Sequence, residues 1–297
     1  MDAKVTHEVA ELGHLGLLAV EGSDARAFLH AQLTNDIEHL SAGRARYAGW
    51  CSAKGRLLAT FLVVPEGDRF LLQLARDLAL SAAKRLAMYI LRSKVKLADV
   101  STERVQYGLW GEGAVAGLAQ LGLPVPAGEL DVTVANGAIA VGIAPHRYLV
   151  LAPAAMRGQI AANSQADAWM LAEIRAGRPL VVQATQDQFV PQMVNLELTG
   201  GVDFQNGCYP GQEIVARSQY RAQVKRRMVR ARSPVPLRPG QDLYSDDFPG
   251  QPSGTVVNAA GGDALAVLQV ATVERRVAVR AAAGGEPLEL LPLPYSS

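Results

Sequence analysis

The sequence predicts an α+β body followed by a small all-β domain. Three observations predict it: strands and helices alternate through residues 15–176, that order recurs once, and the composition changes after Arg232. Residues 15–20 are a short apolar run, a strand candidate. Gly22-Ser23-Asp24 stops it and offers a helix N-cap. Ala25, Phe28, Leu29, Gln32 and Leu33 fall at helical spacing, so 24–33 reads as an amphipathic helix. Strands follow at 46–50, 57–64 and 70–74, the last two joined by Pro65-Glu66-Gly67-Asp68. The spacing predicts a helix over 77–91, with Leu78, Ala82, Leu86 and Tyr89 on one side, and a strand over 95–100. The order then repeats. A strand at 105–110 and a helix at 113–121 precede Pro124 and Pro126; strands at 132–134, 139–143 and 148–151 precede helices at 154–162 and 165–176. The halves share no residue-level identity, so the repeat is architectural.

Residues 233–240, Ser-Pro-Val-Pro-Leu-Arg-Pro-Gly, cannot propagate a helix and read as a connector. Short β-prone runs follow at 254–258, 264–270, 276–280 and 288–291, separated by Gly-Gly and Pro turns. They predict a barrel or compact sandwich. The expected division is a body over 1–220 and a C-terminal β-barrel over 221–297.

Composition narrows the function. With 29 basic and 28 acidic residues, the formal charge of +1 excludes a uniformly basic nucleic-acid binder. Two cysteines, Cys51 and Cys208, cannot build a disulfide framework, a four-thiolate zinc site or an all-cysteine iron–sulfur site within one chain. No apolar span approaches a membrane helix, and the N-terminal residues lack the pattern of a secretory signal. The expectation is a soluble cytoplasmic protein with reduced thiols and no bound metal.

The most informative segment is 189–217, a long, mostly irregular stretch inside a regular body. Gly200, Gly201, Gly207 and Gly211 permit close backbone approach. Cys208 is followed by Tyr209, Gln212 and Glu213. If a helix starts at Tyr209, Pro210 sits near its first position and Cys208 near its N-terminus, where dipole and free N–H groups favour a thiolate. Such a thiol serves as nucleophile, redox handle or metal ligand; the alternative is an inert buried cysteine. None of the five histidines (His7, His14, His30, His39, His146) has a spacing that marks it as a partner.

Eight cations and no acid lie between Arg217 and Arg238: Arg217, Arg221, Lys225, Arg226, Arg227, Arg230, Arg232 and Arg238, with Tyr220 among them. They read as a phosphate, polyglutamate or RNA surface, or as a solvated strand face. Trp169 could stack on a planar heterocycle or pack in the core; Trp50 and Trp110 read as core.

At Asn206-Gly207-Cys208-Tyr209-Pro210-Gly211-Gln212-Glu213 the sequence resembles the Lys-Gly-Cys-Tyr-x-Gly-Gln-Glu signature of YgfZ-type folate-binding proteins, relatives of the glycine-cleavage aminomethyltransferases. Further stretches agree in order: Gly22 to Ala25, Gln32-Leu33-Thr34-Asn35-Asp36, Lys54-Gly55-Arg56, Ala176-Gly177 and Leu291 to Tyr295. The resemblance implies two ferredoxin-like units, about 15–100 and 104–176, around a central channel, with a C-terminal β-barrel. It implies a tetrahydrofolate-binding factor that helps assemble or repair iron–sulfur proteins, including those that thiolate tRNA. It makes Cys208 the functional thiol, with Tyr209, Gln212 and Glu213 beside it. It offers Trp169, Arg175, Asn195 and Leu15 as folate contacts.

Three departures bear on this. Asn206 stands where the signature has lysine. Arg175 stands where a pterin-contacting acid often precedes Ala-Gly; a guanidinium has no acceptor for pterin N–H groups, though it can reach a glutamate tail. The strand 57–61, Leu-Leu-Ala-Thr-Phe, lacks the aspartate that aminomethyltransferases place near the folate nitrogen, which argues against aminomethyl transfer. Folate-dependent one-carbon transfer and tRNA binding stand as the alternatives.

Overall fold

A computed structural model describes residues 7–220, 224–282 and 284–295. The described residues fold as two compact units: those within 7–28, 37–46 and 62–169 in one, those within 29–36, 47–61 and 170–295 in the other.

Two five-stranded sheets carry the repeat. The first half of the chain supplies β2 (Leu15–Glu21), α1 (Ala25–His30), β3 (Arg46–Cys51), β4 (Leu57–Glu66), β5 (Arg69–Ala75), α2 (Ala79–Ala87) and β6 (Lys96–Asp99). Its sheet runs β3-β4-β5-β2-β6. The next stretch supplies β7 (Arg104–Trp110), α3 (Ala114–Gln120), β8 (Val132–Ala135), β9 (Ala138–Ala144), β10 (Arg147–Pro153) and α4 (Ala166–Arg175). Its sheet runs β8-β9-β10-β7-β1, where β1 (Glu8–Glu11) comes from before the repeat. Strand for strand the orders match: β3, β4, β5 and β2 take the places of β8, β9, β10 and β7. The fifth place is filled by β6 in one sheet and β1 in the other. The doubled order read from sequence is therefore a doubled sheet topology. β1 itself escaped the pattern, because Glu-Val-Ala-Glu is short and half acidic.

Burial explains the strand sequences. β2 and β9 are buried along almost their whole length, so they read as continuous apolar runs rather than alternating ones. The polar exception in β7 is Gln106. Its amide nitrogen donates to the Leu15 carbonyl (3.1 Å), and its oxygen accepts from Gln73 Nε2 (2.7 Å). Val9, Tyr107, Leu109, Leu118 and Val150 belong to the core of the second sheet.

Two helix expectations need correction. The helix predicted over 77–91 ends at Ala87. Leu78, Ala82 and Leu86 are buried as expected, but Tyr89 lies beyond the helix and is exposed. The helix predicted over 154–162 is a single 3-10 turn at Ala154–Met156. Gly158 turns the chain at φ +84°, and Asn163 is engaged elsewhere. The Asn163 side chain accepts from Val9 N (2.7 Å) and donates to the His7 carbonyl (3.0 Å), capping β1 instead of extending a helix.

The C-terminal region forms a six-stranded sheet curled into a half-barrel. Its strands are β11 (Arg226–Arg232), β12 (Asp242–Ser245), β13 (Gly254–Ala260), β14 (Asp263–Gln269), β15 (Val279–Arg280) and β16 (Glu289–Leu291), in the order β15-β12-β13-β14-β11-β16. Helix α5 (Gln212–Tyr220) precedes it, and α6 (Val270–Glu274) is inserted after β14. The strand predicted over 276–280 is only β15, and β12 was not foreseen. Ala231, Leu243, Val256, Ala266 and Leu268 make the core. The closing motif packs back: Tyr295 Oη donates to the Gly177 carbonyl (2.6 Å). Gly177 is required there, since φ is +68° and a Cβ would lie 2.7 Å from the tyrosine ring.

Candidate functional site around Cys208

The scattered motifs of the sequence meet at one loop. Thr34 Oγ donates to the Gly201 carbonyl (2.6 Å) and accepts from Gly49 N (2.8 Å). Asn35 Nδ2 donates to the carbonyls of Gly200 and Tyr47, each at 2.7 Å. Asp203 N donates to Thr34 O (2.9 Å). The Thr34-Asn35 pair thus holds the start of the cysteine loop. The turn Lys54-Gly55-Arg56 holds its end. A Cβ on Gly211 would sit 2.4 Å from Ser52 O and 2.6 Å from Gly55 Cα, so the two backbones touch where only glycine fits. Arg56 Nη1 donates to Gln188 O (2.8 Å), and Ser52 Oγ to Asp187 Oδ1 (2.8 Å).

Asn206 gives the lysine departure a structural reason. It is buried; its amide nitrogen donates to Leu33 O (3.0 Å) and its oxygen accepts from Gly207 N (2.9 Å). A lysine has no acceptor and could not take the second bond. Gln212 Nε2 donates to Asn206 O (3.1 Å), which ties the loop to the start of α5. Tyr209 is buried, and burial pushes its hydroxyl up, with smaller contributions from Cys51 and Asp203. Glu213 is exposed. Between these anchors Cys208 stands exposed. Helix α5 begins at Gln212, not at Tyr209. Cys208 therefore lies outside the first turn, where a helix dipole acts, and Pro210 is not its first residue.

Sequence reasoning passed over His30. Its Nε2 lies 3.1 Å from where a Cβ on Gly207 would be, and its Nδ1 is 3.4 Å from Asp36 Oδ1. No spacing rule could have found it, because 177 positions separate His30 from Gly207. The second thiol contrasts with the first. Cys51 is 1% exposed, and burial, then the Asp187 charge, pushes it up to about 12. It is the inert cysteine; Cys208 is the accessible one.

Of the four residues offered to folate, Trp169, Leu15 and Asn195 are buried and Arg175 is half exposed. Trp169 is 4% exposed, its ring covered by the Arg147 guanidinium 4.0 Å from the centroid, and Arg147 Nη2 donates to Trp169 O (3.0 Å). Trp110 packs at 5.9 Å between ring centroids. Leu15 is buried in β2. Asn195 is fully buried, with a left-handed backbone at φ 55°. Its amide nitrogen donates to Met228 O (2.9 Å) and its oxygen accepts from Arg227 Nη1 (3.1 Å). Arg175 is half exposed and pairs through Nε with buried Asp263 (3.3 Å).

Asn195 instead belongs to a buried polar group that sequence analysis did not foresee. Arg227 Nη1 pairs with Glu197 Oε1 at 2.5 Å and also donates to Gln192 O (3.2 Å). Burial pushes Glu197 up; the Arg227 bond and charge pull it back only in part. The only clue was an acid between two leucines, Leu196 and Leu198. The cationic run is accordingly not one free surface. Arg227 is held by Glu197, and Arg232 by Asp263 and Glu289. Arg221 lies outside the described residues. Among the described residues, no group of three or more His, Cys, Asp or Glu is placed to hold a metal, and no helix is long and apolar enough to cross a membrane.

Comparison with known proteins places this arrangement. The tRNA-modifying protein YgfZ of Escherichia coli O45:K1 (strain S88) is 30% identical over 314 residues, covering 99% of this chain and 95% of that protein. The chain belongs to the YgfZ family. The family's representative from Escherichia fergusonii is 31% identical over 235 residues, covering 75% of this chain and 71% of that one. Residues 3–130 match the family model of the GCVT N-terminal domain. Among solved structures, the glycine cleavage system aminomethyltransferase T of Bartonella henselae superposes with a TM-score of 0.74 at 19% identity, covering 97% of this chain and 85% of that one. That likeness establishes a mixed α/β fold of the aminomethyltransferase type.

Proposed function

We propose that this protein is a tetrahydrofolate-binding accessory factor in iron–sulfur protein assembly or repair, that it supports tRNA modification indirectly, and that Cys208 is its working thiol. One observation carries the thiol part. Cys208 is exposed at the crest of a loop fastened by Thr34, Asn35, Asn206, Gln212 and Gly211, while the chain's other cysteine is buried. A fastened backbone beneath an exposed thiol is what a reaction or transfer at sulfur needs. In this reading Tyr209 and Gln212 hold the loop, and Glu213 is the nearest exposed carboxylate along the chain.

Folate enters through the family and the fold, and Trp169 sets its condition. A heterocycle can take the indole face only by replacing Arg147, which lies at stacking distance over it. Arg175, half exposed, suits the carboxylates of a glutamate tail. The strand Leu57 to Phe61 is buried and has no carboxylate, which disfavours aminomethyl transfer.

Two measurements test the two parts separately. Cys208→Ala, expressed in cells lacking the native protein, should fail to restore iron–sulfur enzyme activity; full rescue would refute the thiol's role. Titration with tetrahydrofolate should change tryptophan fluorescence, and the change should shrink in Trp169→Phe. No response of the wild type at high micromolar ligand removes folate from the proposal.

A further inference from the structure

Helix α2 ends in a feature that neither the thiol nor folate uses. Of the nine exposed large apolar side chains among the described residues, four fall within residues 80–91: Leu80, Met88, Tyr89 and Leu91. Leu80 lies at the start of α2, while Met88, Tyr89 and Leu91 follow its end within four residues; single apolar residues are ordinary on a surface, but such a run marks a contact site. Leu91 is 88% exposed and sits at φ 47°, a backbone region costly for a branched side chain. Neither packing within this chain nor backbone preference rewards leucine at that position.

The turn is also held in place. Asp24 Oδ2 accepts from Lys94 N (2.7 Å), and Ser93 N donates to Ile90 O (2.8 Å). Gly22, at φ +119°, lets the Lys94 carbonyl come within 2.0 Å of where a Cβ would be. A cleft lined by Asp24, Tyr89, Ile90, Leu91, Arg92 and Ser93 opens beside it. The tip's own charged side chains are all basic, and Asp24 is the one acid in the cleft's lining. Residues 78–98 contain Lys84, Arg85, Arg92, Lys94 and Lys96 and no acid, although the whole chain is nearly neutral. Lys84, Arg92 and Lys94 make no ion pair among the described residues.

We propose that the 80–94 tip is a docking surface for a partner protein, one that presents an acidic surface around an apolar socket. The cations draw the partner in, and Met88 and Leu91 fill the socket. The excess of basic over acidic side chains on the tip disfavours pairing of this patch with itself in a second copy. RNA is disfavoured because its phosphates have no use for exposed leucine and methionine. The inference stands apart from the roles of Cys208 and folate.

The test places a benzophenone amino acid at position 91 of the full chain in cells and irradiates. The expected result is a light-dependent adduct with a protein. The purified partner should bind the wild type with an affinity that falls as salt rises. It should lose about tenfold or more with Met88→Ser/Leu91→Ser, and similarly with Lys84→Glu/Arg92→Glu/Lys94→Glu. Both variants should melt with the wild type, since these side chains are exposed, and Cys208→Ala should leave the adduct intact. No adduct, an adduct with RNA or with a second copy, or a partner indifferent to both variants would overturn the proposal.

Discussion

The two five-stranded sheets share one strand order but fill the gap between helix and sheet differently. In β2, Gly16 seats the start of α2: a Cβ there would meet Ala79 Cβ at 2.8 Å and Arg76 Cα at 3.3 Å. In the matching strand β7, Gly108 seats an indole: a Cβ there would lie 2.2 Å from Trp169 Cε3. The first gap is closed by alanine; Leu86 is buried at the far end of α2, and the exposed Met88, Tyr89 and Leu91 follow the helix. The second is filled by tryptophan with Arg147 stacked upon it. One topology thus holds an outward-facing tip in one copy and a buried aromatic–guanidinium stack in the other. The residue at the glycine contact differs accordingly, alanine in one and tryptophan in the other.

The comparison can be broken most forcefully at Gly108. Gly108→Ala should destabilise by about 3 kcal/mol, because the ring it strikes is walled in by Trp110 and Arg147. Gly16→Ala should cost less, about 1–2 kcal/mol, because its contact is at the helix start. Urea denaturation of the two variants measures the difference; equal losses would mean that the two gaps are energetically alike. Arg147→Met removes the stack and the bond to Trp169 O. It should cost about 1–2 kcal/mol and alter the tryptophan emission, which no change at Gly16 should do.

Cys51, at the end of β3, supplies a pH test with a definite sign. Its thiol is pushed up to about 12 in the fold, against about 8.5 in an unfolded chain. The unfolded chain therefore loses this proton first. The contribution is complete below about pH 8.5 and is lost as pH rises toward 12, at no more than about 1.4 kcal/mol per unit. Cys51→Ala should flatten that alkaline decline, seen in melting curves from pH 8 to 11. The smallest expected effect is at the exposed thiol. Cys208→Ala should change stability by less than about 0.5 kcal/mol, and iodoacetamide should label Cys208 in the native protein while Cys51 reacts only after unfolding. Comparable labelling of both thiols would erase the distinction between them.

Much of the fold was legible because burial leaves a periodic trace. The apolar runs at 15–20, 57–64 and 139–143 are strands, and Leu78, Ala82 and Leu86 mark the buried face of α2. What failed was local. The helix predicted over 154–162 lost to Gly158 and to the capping bonds of Asn163, which depend on a strand some 150 residues earlier. Helix α5 starts three residues later than Tyr209, since Gly211 is drawn into contact with Ser52 and Gly55. Of the candidate site, the motif singled out Cys208, and the structure shows that residue exposed. His30 beside Gly207 and the Glu197–Arg227 pair were not legible, because their partners are remote in sequence and carry no spacing signal.

Sequence alone carried the α+β class, the doubled strand order, the β-rich C-terminal region and the singling out of Cys208, because periodicity and short motifs are written into neighbouring residues. Tertiary structure decided the rest. It buried Cys51 and left Cys208 exposed, pinned Asn206 to Leu33 and Gly207, and laid Arg147 on Trp169. It also paired off Arg227 and Arg232 from a run that reads as uniformly free. The physical reason is common to all of these: exposure, pairing and stacking depend on groups brought together across long stretches of chain, and the local sequence holds no record of which groups those are.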